Sequence, residues 1–314
     1  MSGKGIHWYP GHMHKARKEI EKVLPQVDLI IEVLDARIPY SSENPMIQQL
    51  RGDKPCIKLL NKSDLADPEV TAQWIGYLEQ EQGVKASAIT TLQSAMVKKI
   101  PDLCRKLVPH RDTVEKDIRT MIMGIPNVGK STIINTLAGR VIAKTGNEPA
   151  VTKAQQRINL RNGIVLSDTP GILWPKVDNP ASSYRLAVTG AIKDTAMEYD
   201  DVAMFAAEYF LEAYPEEICK RYNLDELPRQ DIELLEAIGR RHGALRSGGT
   251  IDYHKASEVL LHDYRSGKIG QLTLETPAMA EKEKIVVAEM IAIKEAEKKA
   301  KDEARRKKHS GKRH

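Results

Sequence analysis

The eight residues Gly124-Ile125-Pro126-Asn127-Val128-Gly129-Lys130-Ser131 constrain this chain more than any other stretch. They match G-x-x-x-x-G-K-[ST], a loop that must be delivered by a strand and must leave into a helix. Both neighbours have the required character: Ile118 to Met123 predicts a short apolar strand, and Ser131 to Leu137 the opening turns of a helix. In such a loop the backbone N–H groups of Asn127, Val128, Gly129, Lys130, Ser131 and Thr132 turn toward phosphate oxygens, aided by the positive end of the helix dipole. Lys130 would reach the β- and γ-phosphates, and the Ser131 hydroxyl would ligate Mg²⁺. An ordinary glycine-rich strand-to-helix turn is the plain alternative; the strand–loop–helix setting favours a bound nucleoside triphosphate.

Around this loop the chain reads as an α/β domain followed by an all-α domain. Val27 to Leu34 and Pro55 to Leu60 are continuous apolar runs, the pattern of parallel strands buried on both faces. Val84 to Ile89 reads as a third strand. Short helices are expected over 45–50 and 68–81, and one continuous helix over 94–107. A polar linker over 108–117 leads into the phosphate loop. After a Gly/Pro-punctuated loop over 139–152, two strands (155–160 and 163–167) meet at the Arg161-Asn162 turn. Alternating strands and helices of this kind give a doubly wound, mostly parallel sheet with ligands at the strand C-termini. From about 178 the periodicity is helical, at 202–213, 231–240, 254–265 and 280–299. The expected division is therefore a basic N-terminal segment (1–23), a nucleotide domain (24–177), a helical domain (178–293) and a basic tail (294–314).

Asn61-Lys62-Ser63-Asp64 follows a buried strand and fits a guanine-reading loop. The Asp64 carboxylate can accept two hydrogen bonds from guanine N1–H and the 2-amino group. Adenine lacks that donor pair and would leave a desolvated carboxylate unpaired. Asn61 would buttress the loop, and the stem of Lys62 would lie along one face of the base. Ser87-Ala88 would offer a backbone N–H to guanine O6. Asp168-Thr169-Pro170-Gly171 closes the set: Asp168 would hold Mg²⁺ through a water, the Gly171 N–H would sense the γ-phosphate, and Thr152 is the candidate second hydroxyl ligand of the metal.

Charge is unevenly placed. Lys294 to His314 holds ten Lys/Arg against four Asp/Glu, so this end contributes +6 to a net +5 and the remainder sums to −1. Such an end suits either a phosphate-seeking arm or a solvated disordered tail. The basic N-terminal segment, opened by Trp8-Tyr9-Pro10-Gly11-His12-Met13, reads either as a solvated helix with an aromatic anchor or as a segment facing RNA or the active site. No apolar run approaches a membrane span and no signal-peptide core is present. Cys56, Cys104 and Cys219 lie far apart with no metal spacing, which suits reduced thiols in a cytoplasmic protein.

The motif order is guanine loop, phosphate loop, Thr152, then D-T-P-G, a circular permutation of the usual GTPase order. Together with Trp8 to Met13, Asp35-Ala36-Arg37-Ile38-Pro39 and the stretches 248–252 and 264–270, it resembles the ribosome biogenesis GTPase A family of circularly permuted GTPases. The resemblance implies GTP/GDP binding, slow GTP hydrolysis stimulated by a ribosomal subunit, and late assembly of the large (50S) subunit with ribosomal RNA as partner. It also implies that His12 serves the γ-phosphate, since Ile172 stands where many GTPases orient water with Gln. Asn127 resembles the asparagine that other GTPases use to hold K⁺. A monomer without membrane association is expected. A GTP-regulated RNA chaperone, or a GTPase acting on the small subunit or another protein, remains the alternative. In the permuted order the chain after Gly171 enters the helical half directly, which would connect γ-phosphate sensing to that half.

Overall fold

The computed structural model describes residues 11–109, 117–143, 156–169, 177–192 and 198–310, with side chains described from 17 to 301 apart from 156. The chain opens with α1 (Gly11–Val23), β1 (Leu29–Asp35), α2 (Pro39–Ser42), α3 (Pro45–Arg51) and β2 (Cys56–Asn61). It continues through α4 (Pro68–Leu78), β3 (Val84–Ala88), α5 (Ser94–Val97) and α6 (Ile100–Leu107). Only then come β4 (Ile118–Met123), α7 (Lys130–Ala138), β5 (Gln156–Asn159) and β6 (Ile164–Asp168). The rest is helical: α8 (Pro180–Val188), α9 (Tyr199–Ala213), α10 (Pro215–Tyr222), α11 (Asp231–His242), α12 (Tyr253–Arg265) and α13 (Pro277–Ser310).

The six strands form one sheet in the order β3-β2-β1-β4-β6-β5, parallel except for the edge strand β5. Alternate residues of each strand point to opposite faces. From β1, Leu29, Ile31 and Val33 enter a cluster with Ile133 and Ile134 of α7 and Ile100 and Cys104 of α6. Ile30 faces the other way, onto Ile20 of α1 and Met46 and Ile47 of α3. Leu34 packs on that side with Trp74 and Leu78 of α4. Between those two apolar groups sit Glu32 and Lys58, register partners that are 2% and 3% exposed. Burial and the neighbouring Glu43 push the Glu32 carboxyl up to about 8.

Helix starts follow local chemistry. Asn44, Asp67 and Asn179 each accept a hydrogen bond from a backbone N–H of the first turn they precede, with Pro next in line. The helix expected over 94–107 is two helices, α5 and α6. Pro101 has no N–H to donate to the carbonyl four residues back, so one helix cannot pass through it, whereas in the first turn of α6 that loss costs nothing. Three helices that the sequence pattern does not predict, α2, α8 and α10, also form. Lys294, where the basic run begins, lies inside α13, so the described part of that run, to Ser310, is helical. At 1.5 Å per residue its 34 residues measure about 51 Å. No helix among the described residues is long and apolar enough to cross a membrane.

One contiguous apolar cluster takes in residues of the sheet and of the helical half. It runs from Leu29 and Val33 of the sheet through Leu186 and Val188 of α8 to Phe210, Leu234, Leu260 and Tyr264.

Candidate functional site

From β1 the chain moves outward to β2 and β3, and from β4 it moves the opposite way to β6. The crevice above the C-terminal ends of β1 and β4 is therefore the topological switch point, where ligands of open α/β sheets bind. Asp35, Asn61, Ala88, Met123 and Asp168 all end their strands at this edge.

The loop after β4 is shaped by contacts that leave no room for side chains. Gly124 has φ of +151°, and an added Cβ would meet the Val33 carbonyl oxygen at 2.5 Å. Gly129 has φ of +97°, and a Cβ there would lie 2.3 Å from Asn61 Nδ2. Only glycine combines that conformation with that approach. Lys130, 7% exposed, donates from Nζ to the carbonyls of Gly124 (3.0 Å) and Ile125 (2.7 Å). Burial lowers its ammonium to about 8, against the opposing attraction of Asp168. Asp168, on β6 opposite Ile122 of β4, is raised to about 6 by burial, partly offset by Lys130. Thr169 Oγ1 donates to the Ile122 carbonyl at 2.8 Å, fixing the start of the segment that follows β6. Ser131 is half-buried and Thr132 exposed on the first turn of α7.

The guanine-loop candidate meets the phosphate loop directly: Asn61 Nδ2 donates to the Val128 carbonyl at 2.7 Å. Lys62 takes a left-handed conformation (φ +61°) and its Nζ donates to Asp35 Oδ2 at 2.9 Å. Its stem, expected along a base face, is thus anchored at the tip. Ser63 and Asp64 open a 3₁₀ turn over Ser63–Leu65, and the Ser63 N–H donates to the Ile89 carbonyl at 3.1 Å. That bond brings the end of β3, with Ser87 and Ala88, beside the loop. Asn127 (φ +60°) donates from Nδ2 to the carbonyl of Gly190, just past α8, at 3.0 Å.

Two buried acceptors, Asn61 Oδ1 and Asp168 Oδ1, meet no donor among the described residues. A buried oxygen left so costs about 1–3 kcal/mol, a cost that a ligand donor or a metal-bound water removes. A buried lysine, a close-approach glycine loop and an acidic strand end therefore fit a guanine nucleotide with a divalent ion. Of His12 only its place in α1 is described; its side chain, Thr152, Gly171 and Trp8-Tyr9-Pro10 lie outside the described residues. Asp35 and Arg37 enter the site although sequence reasoning gave them no role. The available signal was an Asp-x-Arg step ending a buried strand at the same sheet edge as Asn61.

A family model described as "50S ribosome-binding GTPase" matches residues 119–236. A "Ribosome biogenesis GTPase A" of Priestia megaterium is 48% identical over 284 residues, covering 88% of this chain and 98% of its own. The GNP-bound structure of YlqF from T. maritima is 28% identical with a TM-score of 0.60, covering 84% of this chain and 98% of that one. The GDP-bound structure of TM YlqF is 26% identical with a TM-score of 0.61, covering 83% and 99%.

Proposed function

Since the chain belongs to the ribosome biogenesis GTPase A family and is a GTP-hydrolysing ribosome assembly factor, we propose that it acts late in maturation of the large ribosomal subunit. In this reading it binds ribosomal RNA in its GTP form and leaves after hydrolysis. The observation that carries the reading is the direct bonding of the guanine loop to the helical half. Gln271 Nε2 donates to the Asp64 carbonyl at 3.2 Å, the Leu272 N–H to the Leu65 carbonyl at 3.1 Å, and the Asp67 N–H to Thr273 Oγ1 at 3.0 Å. Nucleotide binding at Asn61–Asp64 and the placement of a helical RNA-contacting module are then parts of one hydrogen-bonded body.

Within the site, Asp64 reads the base, and Lys130 with the loop N–H groups holds the β- and γ-phosphates. Ser131, Thr152 and Asp168 would hold Mg²⁺, and Asn127 would hold K⁺. Bound there, the two ions supply positive charge beside the phosphates. The Gly171 N–H would respond to the γ-phosphate, and a neutral His12 imidazole would accept a hydrogen bond from the attacking water. The basic N-terminal segment, the helical half and the basic end of α13 would contact RNA phosphates, giving affinity that falls steeply with salt.

Multiple-turnover GTP hydrolysis, measured with each isolated ribosomal subunit in K⁺ or Na⁺ buffer, tests the proposal. The large subunit is expected to raise turnover, K⁺ to exceed Na⁺, and Asn127→Ala to abolish the cation difference. His12→Ala should lower the stimulated rate by about a hundredfold, the scale of a lost general base. Equal stimulation by the small subunit would favour the alternative partner, and a fully stimulated His12→Ala would remove the catalytic assignment.

A further inference from the structure

The Asp35-Ala36-Arg37-Ile38-Pro39 stretch has a definite place in the fold. Asp35 ends β1 directly beside Asn61 of β2 and is 2% exposed. Its Oδ1 accepts from the Arg37 N–H (3.1 Å) and Arg37 Nε (2.9 Å). Its Oδ2 accepts from Arg37 Nη2 (2.8 Å) and from Lys62 Nζ (2.9 Å). One buried carboxylate thus serves two cations, the buried Arg37 and the partly exposed Lys62, which against the effect of burial hold it ionised well below the usual carboxylate range. Ser42 Oγ accepts from the Asp35 N–H at 3.0 Å, fixing the backbone at this point.

Arg37 is seated on the helical half. Its guanidinium carbon lies 5.2 Å from the centroid of the Tyr264 ring on α12, and Nη2 reaches the Thr189 carbonyl at 3.5 Å. Its own carbonyl accepts from the Leu274 N–H at 2.8 Å. The negative charge of Asp64 also acts on Arg37. Arg37 and Lys62 outweigh Asp35 by one positive charge, and that surplus lies near the carboxylate that would read guanine. Replacing a buried pair of this kind with apolar groups of similar size is often neutral for stability, so what the arrangement supplies is geometry. Lys62, left-handed at φ +61°, directly precedes the turn that Ser63 and Asp64 open, so the backbone anchored by its bond to Asp35 is the backbone that leads to Asp64.

We propose that Asp35 and Arg37 are positioning residues for guanine discrimination: Arg37, held by Tyr264 and the Thr189 carbonyl, orients Asp35, which fixes Lys62 and so aims the Asp64 carboxylate. Selectivity for the 2-amino edge of the base then depends on the helical half being in place. The inference rests on the guanine reading of Asn61–Asp64, and the experiment separates the two.

Calorimetry on the full chain measures the affinity ratio of GDP to IDP, which lacks the 2-amino donor. Asp64→Asn checks the underlying reading, because it must collapse the ratio. Arg37→Lys keeps the charge but loses the two-oxygen fork, and it should lower the ratio by about tenfold, the value of one hydrogen bond to a charged group. Tyr264→Leu should lower it in the same direction, while Tyr264→Phe, which keeps the ring, should leave it unchanged. If Arg37→Lys does not fold, Tyr264→Leu decides. A ratio unaltered in these variants, or GDP and IDP weakened by one common factor, would overturn the proposal. A ratio insensitive to Asp64→Asn would instead overturn the guanine reading itself.

Discussion

At the scale of single residues, the paired displacement of Lys130 and Asp168 sets a working pH window. Burial moves the lysine down to about 8 and the aspartate up to about 6, so each is closer to neutral than in water. If Asp168 holds Mg²⁺ as proposed, a proton on it below pH 6 would compete with the metal. Above pH 8 the free protein loses the Lys130 charge that phosphate binding requires. Affinity for a Mg²⁺–GTP analogue should therefore be flat between about 6 and 8 and fall on both sides, by up to about tenfold per unit. Titration calorimetry across pH 5 to 10 checks this. Affinity undiminished at pH 10 would mean that Lys130 titrates as an exposed lysine. The meeting of Asn61 with the loop that holds Gly124, Gly129 and Lys130 was legible in the sequence, because both motifs follow buried strands of one parallel sheet and so reach the same edge. The partners Asp35–Lys62 and Asn127–Gly190 were not, since only the packed sheet edge brings 35 to 62 and 127 to 190.

At the scale of elements, the irregular segment joining α12 to α13 couples the two halves. Its Glu275, fully buried, accepts from the Ser41 N–H (2.8 Å) and Ser41 Oγ (2.5 Å) and lies 3.2 Å from Arg185 Nη1 on α8. Trp74 Nε1 donates to the Glu275 carbonyl at 2.9 Å, adding α4 to the joint. Glu275→Ala would strand buried donors, so unfolding stability should drop by about 3 kcal/mol. Glu283→Ala removes a partner of Arg185 that is 21% exposed and should cost about 1 kcal/mol. Chemical denaturation compares the two, and equal losses would place the joint elsewhere. The buried strands were legible from their unbroken apolar runs. Helix α8 was not, because its Ser182-Ser183 stretch hides the apolar period, although Asn179-Pro180 is a cap followed by a first-turn proline. Helix α10 is short, and its signal is the order of charges, Glu216-Glu217 before Lys220-Arg221.

At the scale of the whole molecule, permutation puts three strands and the guanine loop ahead of the phosphate loop and sends the chain after β6 into helices. The order was legible in the sequence. The common core was not, since periodicity reports which face is apolar but not which element covers it. Leu186 and Val188 of α8 enter the cluster that holds Leu29 and Val33, and Arg265 donates to the carbonyls of Val188 (2.9 Å) and Ala187 (2.8 Å). Gly190, past the same helix end, takes the phosphate-loop Asn127. Phosphate loop and helical half thus meet at one helix terminus, through which, in the proposed function, nucleotide state would set the posture of the helical half. The most direct measurement is co-sedimentation of the intact protein with purified large and small subunits, in a non-hydrolysable GTP analogue and in GDP. The account predicts retention on the large subunit with the analogue and release with GDP. Equal retention in both nucleotides, or retention on the small subunit instead, would contradict it.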